Sequence, residues 1–148
     1  DNHIKSGITK IKSIARLQEI KEGKLKQLCK NNKIFCDGSH NPDGARAINN
    51  FLENLQCKKH IILGMMSNKD HKNYVSHFKN ISSLTTIDIP NQPNAIRGED
   101  LKIKLSNYPN IKYKTSIYEA VKGIKLSEKD IILITGSLYL MGEVLNLN

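Results

Sequence analysis

The sequence has few cysteines and no long apolar run, and both absences limit what kind of protein it encodes. Cysteine occurs three times, at positions 29, 36 and 57, an odd number without C-x-x-C spacing. This usage fits free, structural thiols in a reducing compartment better than a disulfide framework or a zinc site. The longest apolar runs, around Ile61 and Ile131, are far too short to cross a bilayer. No signal-peptide pattern is present either, and we expect a cytoplasmic protein without membrane association.

Arginine is also scarce, although the chain is strongly basic. Three of its 23 basic residues are arginine (Arg16, Arg46 and Arg97), and its formal net charge is +9. A basic surface can bind nucleic acid by displacing counterions from phosphates. The lysines here are scattered, without an RNA-reading motif or interleaved aromatic residues, so we expect no nucleic-acid partner. Where lysine is the usual cation, an arginine indicates a site that needs planar, bidentate contact to a carboxylate or phosphate.

A further absence concerns nucleotides: the P-loop pattern G-x-x-x-x-G-K-[ST] does not occur. The sequence therefore predicts no standard triphosphate cradle within this chain. Its 148 residues, 39% hydrophobic and 25% charged, suit one compact domain with one core. Residues 1–13 are polar and aperiodic, and we interpret them as the remnant of an interdomain linker before a single domain at residues 14–148.

Short apolar runs alternate with amphipathic segments along the rest of the chain. An edge strand is predicted near residues 16–20, and a lysine-rich connecting segment follows it. Buried strands are predicted at residues 34–36, 60–66, 84–89, 111–113 and 130–134, with helices between them and a last helix at 138–145. Alternation of this kind implies right-handed crossovers. We therefore expect an α/β fold with a Rossmann-like, mostly parallel sheet flanked by helices.

In such sheets, ligands bind beyond the carboxyl ends of the strands. This rule selects the loops at residues 37–41, 65–70 and 135–137 as one candidate crevice. Methionines in the second loop more often fill a core, and its Lys69 and Asp70 are ordinary surface charges on the simplest interpretation.

The first loop combines two kinds of residue. Asn41 can cap the following helix, Pro42 suits its first turn, and Asp43 suits its positive end. Neither Asp37 nor His40 is needed for that cap, and we expect both to face the crevice. Titratable groups in such clefts are often functional, so this pair is a candidate for chemistry.

The third loop, with Gly136 and Ser137, leads from a strand into a helix. Free N–H groups and a hydroxyl at that position can hold an anion. On the residues alone, the structural explanation is favoured over anion binding: Gly136 permits a tight turn and Ser137 caps the helix, the commonest use of serine at that position.

Together, these segments resemble the carboxy-terminal domain of folylpolyglutamate synthases and dihydrofolate synthases, which are ligases of the Mur type. The family shows G-R-[LF], D-G-A-H-N-P, G-[ML]-x-x-[DK]-K-D, N-x-R-A and G-S-L-Y-L-x-G-E-V in that order. The matching residues here are Arg16 and Leu17; Asp37, Gly38, Ser39, His40, Asn41 and Pro42; Gly64, Met65, Lys69 and Asp70; Asn94, Ala95 and Arg97; and Gly136, Ser137, Leu138, Tyr139, Leu140, Gly142, Glu143 and Val144. Ala15 and Ser39 depart from the family pattern, which has glycine and alanine there.

The resemblance implies an ATP-dependent enzyme that phosphorylates a carboxylate of dihydropteroate or of a folate. The amine of L-glutamate then attacks the acyl phosphate. It further implies that Arg16 and Asp37 contact ATP, and that His40, as a catalytic residue, and Ser137 lie at the glutamate and acyl-phosphate side. The P-loop and the Mg²⁺ ligands belong to the family's amino-terminal domain, so no metal ligand is expected here. That P-loop domain is the expected partner, the protein is expected to be a monomer, and the isolated chain is expected to be inactive.

Two alternatives stay open. Another Mur-type ligase, which adds amino acids to a peptidoglycan precursor, shares the domain plan, although the G-S-L-Y-L ending argues against it. A non-catalytic α/β domain could use the same crevice to bind a ligand or a partner.

Overall fold

A computed structural model describes residues 17–147 of the chain, which form six strands and six helices. The strands are β1 (Gln18–Glu19), β2 (Lys33–Asp37), β3 (Lys59–Leu63), β4 (Ser83–Ile87), β5 (Ile111–Lys114) and β6 (Ile131–Thr135). The helices are α1 (Lys24–Cys29), α2 (Pro42–Glu53), α3 (His71–Ser76), α4 (Gly98–Lys104), α5 (Ile117–Gly123) and α6 (Leu138–Leu147). Arg16 and the predicted linker at residues 1–13 lie outside the described residues.

The strands form one sheet in the order β1-β2-β6-β3-β4-β5. β1 pairs antiparallel with β2, whereas every other pairing in the described residues is parallel. The central strands β3 and β6 are buried along their whole length, as expected of parallel strands covered on both faces. The predicted α/β fold with a mostly parallel sheet is confirmed.

Each face of the sheet carries its own apolar layer. Helices α2, α3 and α4 cover one face, where Leu52, Tyr74 and Leu101 pack against the strands. Helices α1, α5 and α6 cover the other, with residues such as Val121 and Leu140. The two layers together form the core of the domain.

Local signals explain where the helices begin. The Asn41 side chain accepts a hydrogen bond from the Gly44 N–H at 2.9 Å, and Pro42 occupies the first turn of α2. Ser116 caps α5 in the same way, accepting from the Glu119 N–H at 3.1 Å. Both starts follow from ordinary capping chemistry.

Two predicted boundaries were wrong. The lysine-rich connecting segment is the short helix α1, whose buried residues are Leu25 and Cys29; two apolar positions are too few to show a period. Strand β3 ends at Leu63 instead of continuing to residue 66. The chain leaves the sheet there, since the Met65 carbonyl accepts from the Ile96 N–H at 3.0 Å, outside the sheet ladder.

The three cysteines are free thiols, and Cys29 and Cys36 are buried. Burial raises the pKa of Cys36 to about 12, so this thiol is not reactive at neutral pH. No helix among residues 17–147 has the length and apolar character needed to cross a membrane.

The connections from strand to helix change to the other face of the sheet at β6. The chain leaves β2 and β3 toward helices on one face, and leaves β6, which lies between them, toward α6 on the other. A crevice opens where neighbouring connections diverge in this way. The fold therefore places a cleft at the carboxyl end of β6.

Candidate active site

A cleft of about 450 Å³ lies at this position, a volume in the usual range of small-molecule sites. All three loops selected from the sequence contribute to it. Its lining residues are His40, Met66, Ser67, Asn68, Lys69, Asn94, Ser137, Leu138 and Tyr139. The predicted convergence of the three loops is confirmed.

His40 lines this cleft and is partly exposed. Its Nδ1 lies 3.4 Å from the Gly38 carbonyl oxygen, a long contact that fits a proton on Nδ1. Within residues 17–147, Nε2 has no hydrogen-bond partner. The imidazole is thus held loosely and keeps one nitrogen for a ligand.

Asp37 does not line the cleft, which corrects the expectation that it faces the crevice beside His40. Its side chain is buried, and both carboxylate oxygens accept backbone hydrogen bonds, from Leu17 N–H at 2.9 Å and Ser39 N–H at 2.7 Å. The second bond closes an Asx turn, and the first ties the start of the described chain to β2. Asp37 therefore shapes the loop that carries His40.

Gly136 allows two neighbouring loops to approach each other closely. Its φ of +118° is one that side chains with a Cβ rarely adopt, and a Cβ built there would lie 2.3 Å from the Gly64 carbonyl oxygen. Next to it, Ser137 is buried, and its Oγ accepts from the Tyr139 N–H at 3.1 Å. This hydrogen bond agrees with the interpretation of Ser137 as a helix cap. Ser137 also lines the cleft.

A chain of buried hydroxyl groups connects the first loop, β6 and α3. Tyr74 Oη lies 3.0 Å from Ser39 Oγ and 2.8 Å from Thr135 Oγ1. Thr135 Oγ1 in turn donates to the Asp37 carbonyl at 2.7 Å. One consistent assignment runs from Ser39 to Tyr74 to Thr135 to Asp37, in which Ser39 donates and the hydroxyls of Tyr74 and Thr135 each donate once and accept once.

Tyr74 is fully buried, and this burial raises the pKa of its phenol despite the opposing hydrogen bonds from Ser39 and Thr135. The network is therefore neutral at physiological pH. It also gives a role to Ser39, the residue that departs from the family's alanine.

The loop at residues 64–70 is fixed on both sides. Buried His71 donates from Nε2 to the Met66 carbonyl at 2.8 Å, and the Ser67 N–H donates to the Asn94 carbonyl at 2.8 Å. Lys69 lines the cleft, whereas Asp70 caps α3 by accepting from the Asn73 N–H at 3.3 Å.

Sequence reasoning did not single out Asn68 or Tyr139 as cleft residues. Asn94 and Tyr139 were named as members of the family motifs, without a role in the cleft. Asn68 occupies the position of the G-[ML]-x-x-[DK]-K-D motif at which the family has Asp or Lys. Arg97, from the same segment as Asn94, instead points to Glu99 and Asp100 at the surface.

No group of three or more His, Cys, Asp or Glu side chains comes together within residues 17–147 in a way that could hold a metal ion.

Comparison with known proteins agrees with the cleft's motifs. A curated relative, the probable bifunctional folylpolyglutamate synthase/dihydropteroate synthase of Haloferax volcanii, is 27% identical over 118 residues. The matched region is 74% of this chain and 14% of that protein. The chain thus spans a small part of the length of this relative.

Solved structures share the fold. Folylpolyglutamate synthase from Mycobacterium tuberculosis, complexed with ADP and AMPPCP, superposes with a TM-score of 0.74 at 18% identity, over 90% of this chain and 31% of that one. The bifunctional folylpolyglutamate synthase/dihydrofolate synthase from Yersinia pestis, complexed with AMPPNP and Mn ion, gives 0.72 at 18% identity, over 89% and 30%.

The family described as "Mur ligase, glutamate ligase domain" matches residues 16–138, which contain all three loops of the cleft. This match covers most of the chain. The protein therefore belongs to the Mur ligase family through its glutamate ligase domain.

Proposed function

We propose that this chain is the ATP- and glutamate-side domain of a longer ligase that adds L-glutamate to dihydropteroate or to a folate. One observation carries the proposal: the D-G-S-H-N-P and G-S-L-Y-L segments meet in a single cleft, although about a hundred residues separate them. The nucleotides bound in the two solved structures described above support ATP as a substrate. In this proposal Mg²⁺ accompanies ATP, and its ligands come from the amino-terminal P-loop domain.

On the nucleotide side, we assign Asp37 and Arg16. The resemblance to the family assigns both to ATP, and Leu17, the residue that follows Arg16 in the sequence, donates from its N–H to the Asp37 carboxylate. The Asp37 carboxylate retains lone pairs beyond its two backbone bonds. A guanidinium suits charge-assisted contact to phosphate.

On the glutamate and acyl-phosphate side, we assign His40 and Ser137. Both line the cleft, and α6 begins at Leu138 beside them. The amino end of a helix carries partial positive charge. With the His40 imidazole, it would stabilise the negative charge that develops when the glutamate amine attacks the acyl phosphate.

The cleft is open on the side away from this domain, and the proposal requires the P-loop domain to close it. We infer that closure brings the two halves together at the linker, as in other enzymes that assemble their site between domains. The proposal includes a cytoplasmic, monomeric enzyme. It also implies that the isolated chain folds but has no ligase activity.

The test is an assay of the longer protein with ATP, L-glutamate and three acceptors: dihydropteroate, a folate and a nucleotide-sugar acid. Glutamate-dependent ADP formation with one of the pterin acceptors is the expected result, with none from the 148-residue chain alone. Turnover with the nucleotide-sugar acid alone would assign another Mur-type ligase. Absence of turnover with all three would indicate a non-catalytic binding domain.

A further inference from the structure

The opposite end of the sheet contains a second cleft, of about 420 Å³. It lies on the face that α1, α5 and α6 otherwise cover with apolar side chains. At the amino ends of β3 and β4 and along β5, polar residues replace that apolar layer. Its polar lining includes His60, Ser83, Thr85, Lys112, Lys114 and Lys125.

These residues share one face because of the strand register. Ser83 and Thr85 are two positions apart on β4 and point the same way. His60 pairs with Ser83 across to β3, and Lys112 pairs with Thr85 across to β5. The cleft is therefore a continuous polar patch across three parallel strands.

A buried ion pair orients the imidazole at the inner end of this cleft. His60 Nε2 lies 3.1 Å from Asp130 Oδ2, and His60 Nδ1 lies 2.7 Å from Ser83 Oγ. Burial raises the pKa of Asp130, but hydrogen bonds from the Ser127 N–H and from His60 outweigh it, so the pKa lies below its ordinary value. The carboxylate is thus ionised and holds the proton on Nε2.

With the Nε2 proton directed at Asp130, Nδ1 accepts a hydrogen bond from the Ser83 hydroxyl. His60 and Ser83 are therefore held in fixed orientations in the lining of the cleft.

Thr85 supplies a second, independent observation. Its side chain is 3% exposed, and its hydroxyl has no hydrogen-bond partner among residues 17–147. Every fully buried side-chain N or O atom in that range has a partner, so the Thr85 hydroxyl oxygen is not completely buried. Because Thr85 lines the cleft, we infer that a ligand in the cleft can reach this unpaired hydroxyl.

Three lysines complete the lining. Lys112, Lys114 and Lys125 form no ion pair within residues 17–147. Lysines on an edge strand such as β5 also discourage pairing with another chain. That role would explain Lys112 and Lys114, but it does not explain the unpaired Thr85 hydroxyl or the oriented His60.

We propose that this cleft is a second ligand site, which binds a small molecule through a phosphate group. The three ammonium groups would balance the charge of a phosphate dianion, as lysines do in other phosphate sites. The hydroxyl of Thr85 would donate to one of its oxygens. The site is separated from the candidate active site by the length of the central strands, on the order of 15 Å for five residues.

The test is a titration of the ¹⁵N-labelled 148-residue chain with inorganic phosphate, followed by backbone amide shifts. We expect saturable shifts at Ser83, Thr85 and Lys112. Replacing both Lys112 and Lys114 by glutamine should raise the Kd for phosphate about tenfold or more, because hydrogen bonds to charged groups contribute that much to binding. Thr85→Val, which keeps the shape, should weaken it about fivefold.

The matched control is Lys102→Gln with Lys104→Gln, which removes the same charge from exposed positions on α4; its Kd should stay within about twofold of the unmodified chain. Equal weakening by both pairs would mean general charge attraction and would overturn the proposal. Shifts confined to Gly136 and Ser137, or the absence of saturation at Ser83 and Thr85, would overturn it as well.

Discussion

Each end of the sheet contains one buried carboxylate, and the two have different partners. Asp37, at the carboxyl end, accepts from the backbone N–H groups of Leu17 and Ser39. Asp130, at the amino end, accepts from one backbone N–H and from the side chain of His60. The first carboxylate shapes a loop, and the second aims a side chain. Buried carboxylates at the two ends of one sheet can therefore have different structural roles.

The largest expected effect concerns the close approach of loops at the carboxyl end. Gly136→Ala should lower the free energy of unfolding by about 3 kcal/mol or more, since the new Cβ meets backbone in an unfavourable φ region. Chemical denaturation of the variant measures this loss.

Gly142 provides the matched control within the same motif. It lies in α6, and a Cβ there would meet no atom within 4 Å. Gly142→Ala should be neutral or stabilise the chain by up to about 1 kcal/mol, because alanine favours helix. Equal losses in the two variants would contradict the packing described at Gly136.

A smaller effect is expected at the amino end, where Asp130→Asn removes the charge from the pair with His60. At neutral pH the loss should be about 2 kcal/mol, the usual cost of weakening a buried, charge-assisted bond. Because the pKa of Asp130 is lowered in the folded state, its contribution is present above the unfolded value and disappears as the pH falls through the folded one.

The unmodified chain and the variant should therefore differ most in Tm near neutral pH and least once the pH has fallen below the lowered pKa of Asp130. Thermal unfolding followed across that range is the measurement. A difference that stays constant down to the acid limit would show that Asp130 contributes through shape and not through its charge.

The smallest predicted effect is that of Tyr74→Phe, which removes one hydroxyl from the neutral network joining Ser39 and Thr135. We expect a loss of about 1 to 2 kcal/mol in stability, since the buried Thr135 hydroxyl and the partly exposed Ser39 hydroxyl each lose a partner. Ser39→Ala, measured beside it, should cost less, because Ser39 is at the partly exposed end of the chain of hydroxyls. A larger loss for Ser39→Ala than for Tyr74→Phe would contradict the central place of Tyr74 in the network.

Local chemistry made much of the fold predictable. Asn41 and Pro42 are typical of a helix start. The alternation of short apolar runs with amphipathic segments predicted the parallel sheet. Helix α1 could not be predicted, because six residues with two buried positions carry no period. Asp37 was wrongly expected to face the crevice, because its position after a strand and outside the helix cap fits that orientation. The Asx turn to the Ser39 N–H competes with it, and nothing in the sequence ranks the two orientations.

Contacts between distant residues account for the rest. Tyr74 meets Ser39 and Thr135 across 35 and 61 positions, and His60 meets Asp130 across 70. No spacing rule connects such pairs. The loops of the cleft could be selected beforehand only because the carboxyl ends of parallel strands lie together, a rule of topology that does not depend on which side chains meet.

The central claim is that the carboxyl-end cleft is one wall of a glutamate ligase site, and His40 tests it more cleanly than Asp37, whose loss would also disturb its loop. The measurement is kcat/KM for glutamate addition by the longer protein carrying His40→Ala, with His77→Ala as the control that removes an imidazole outside the cleft. We predict a fall of about a hundredfold for His40→Ala, the usual scale for losing a preorganised polar contact, with unchanged Tm and a normal control. Normal kinetics for His40→Ala would contradict the claim.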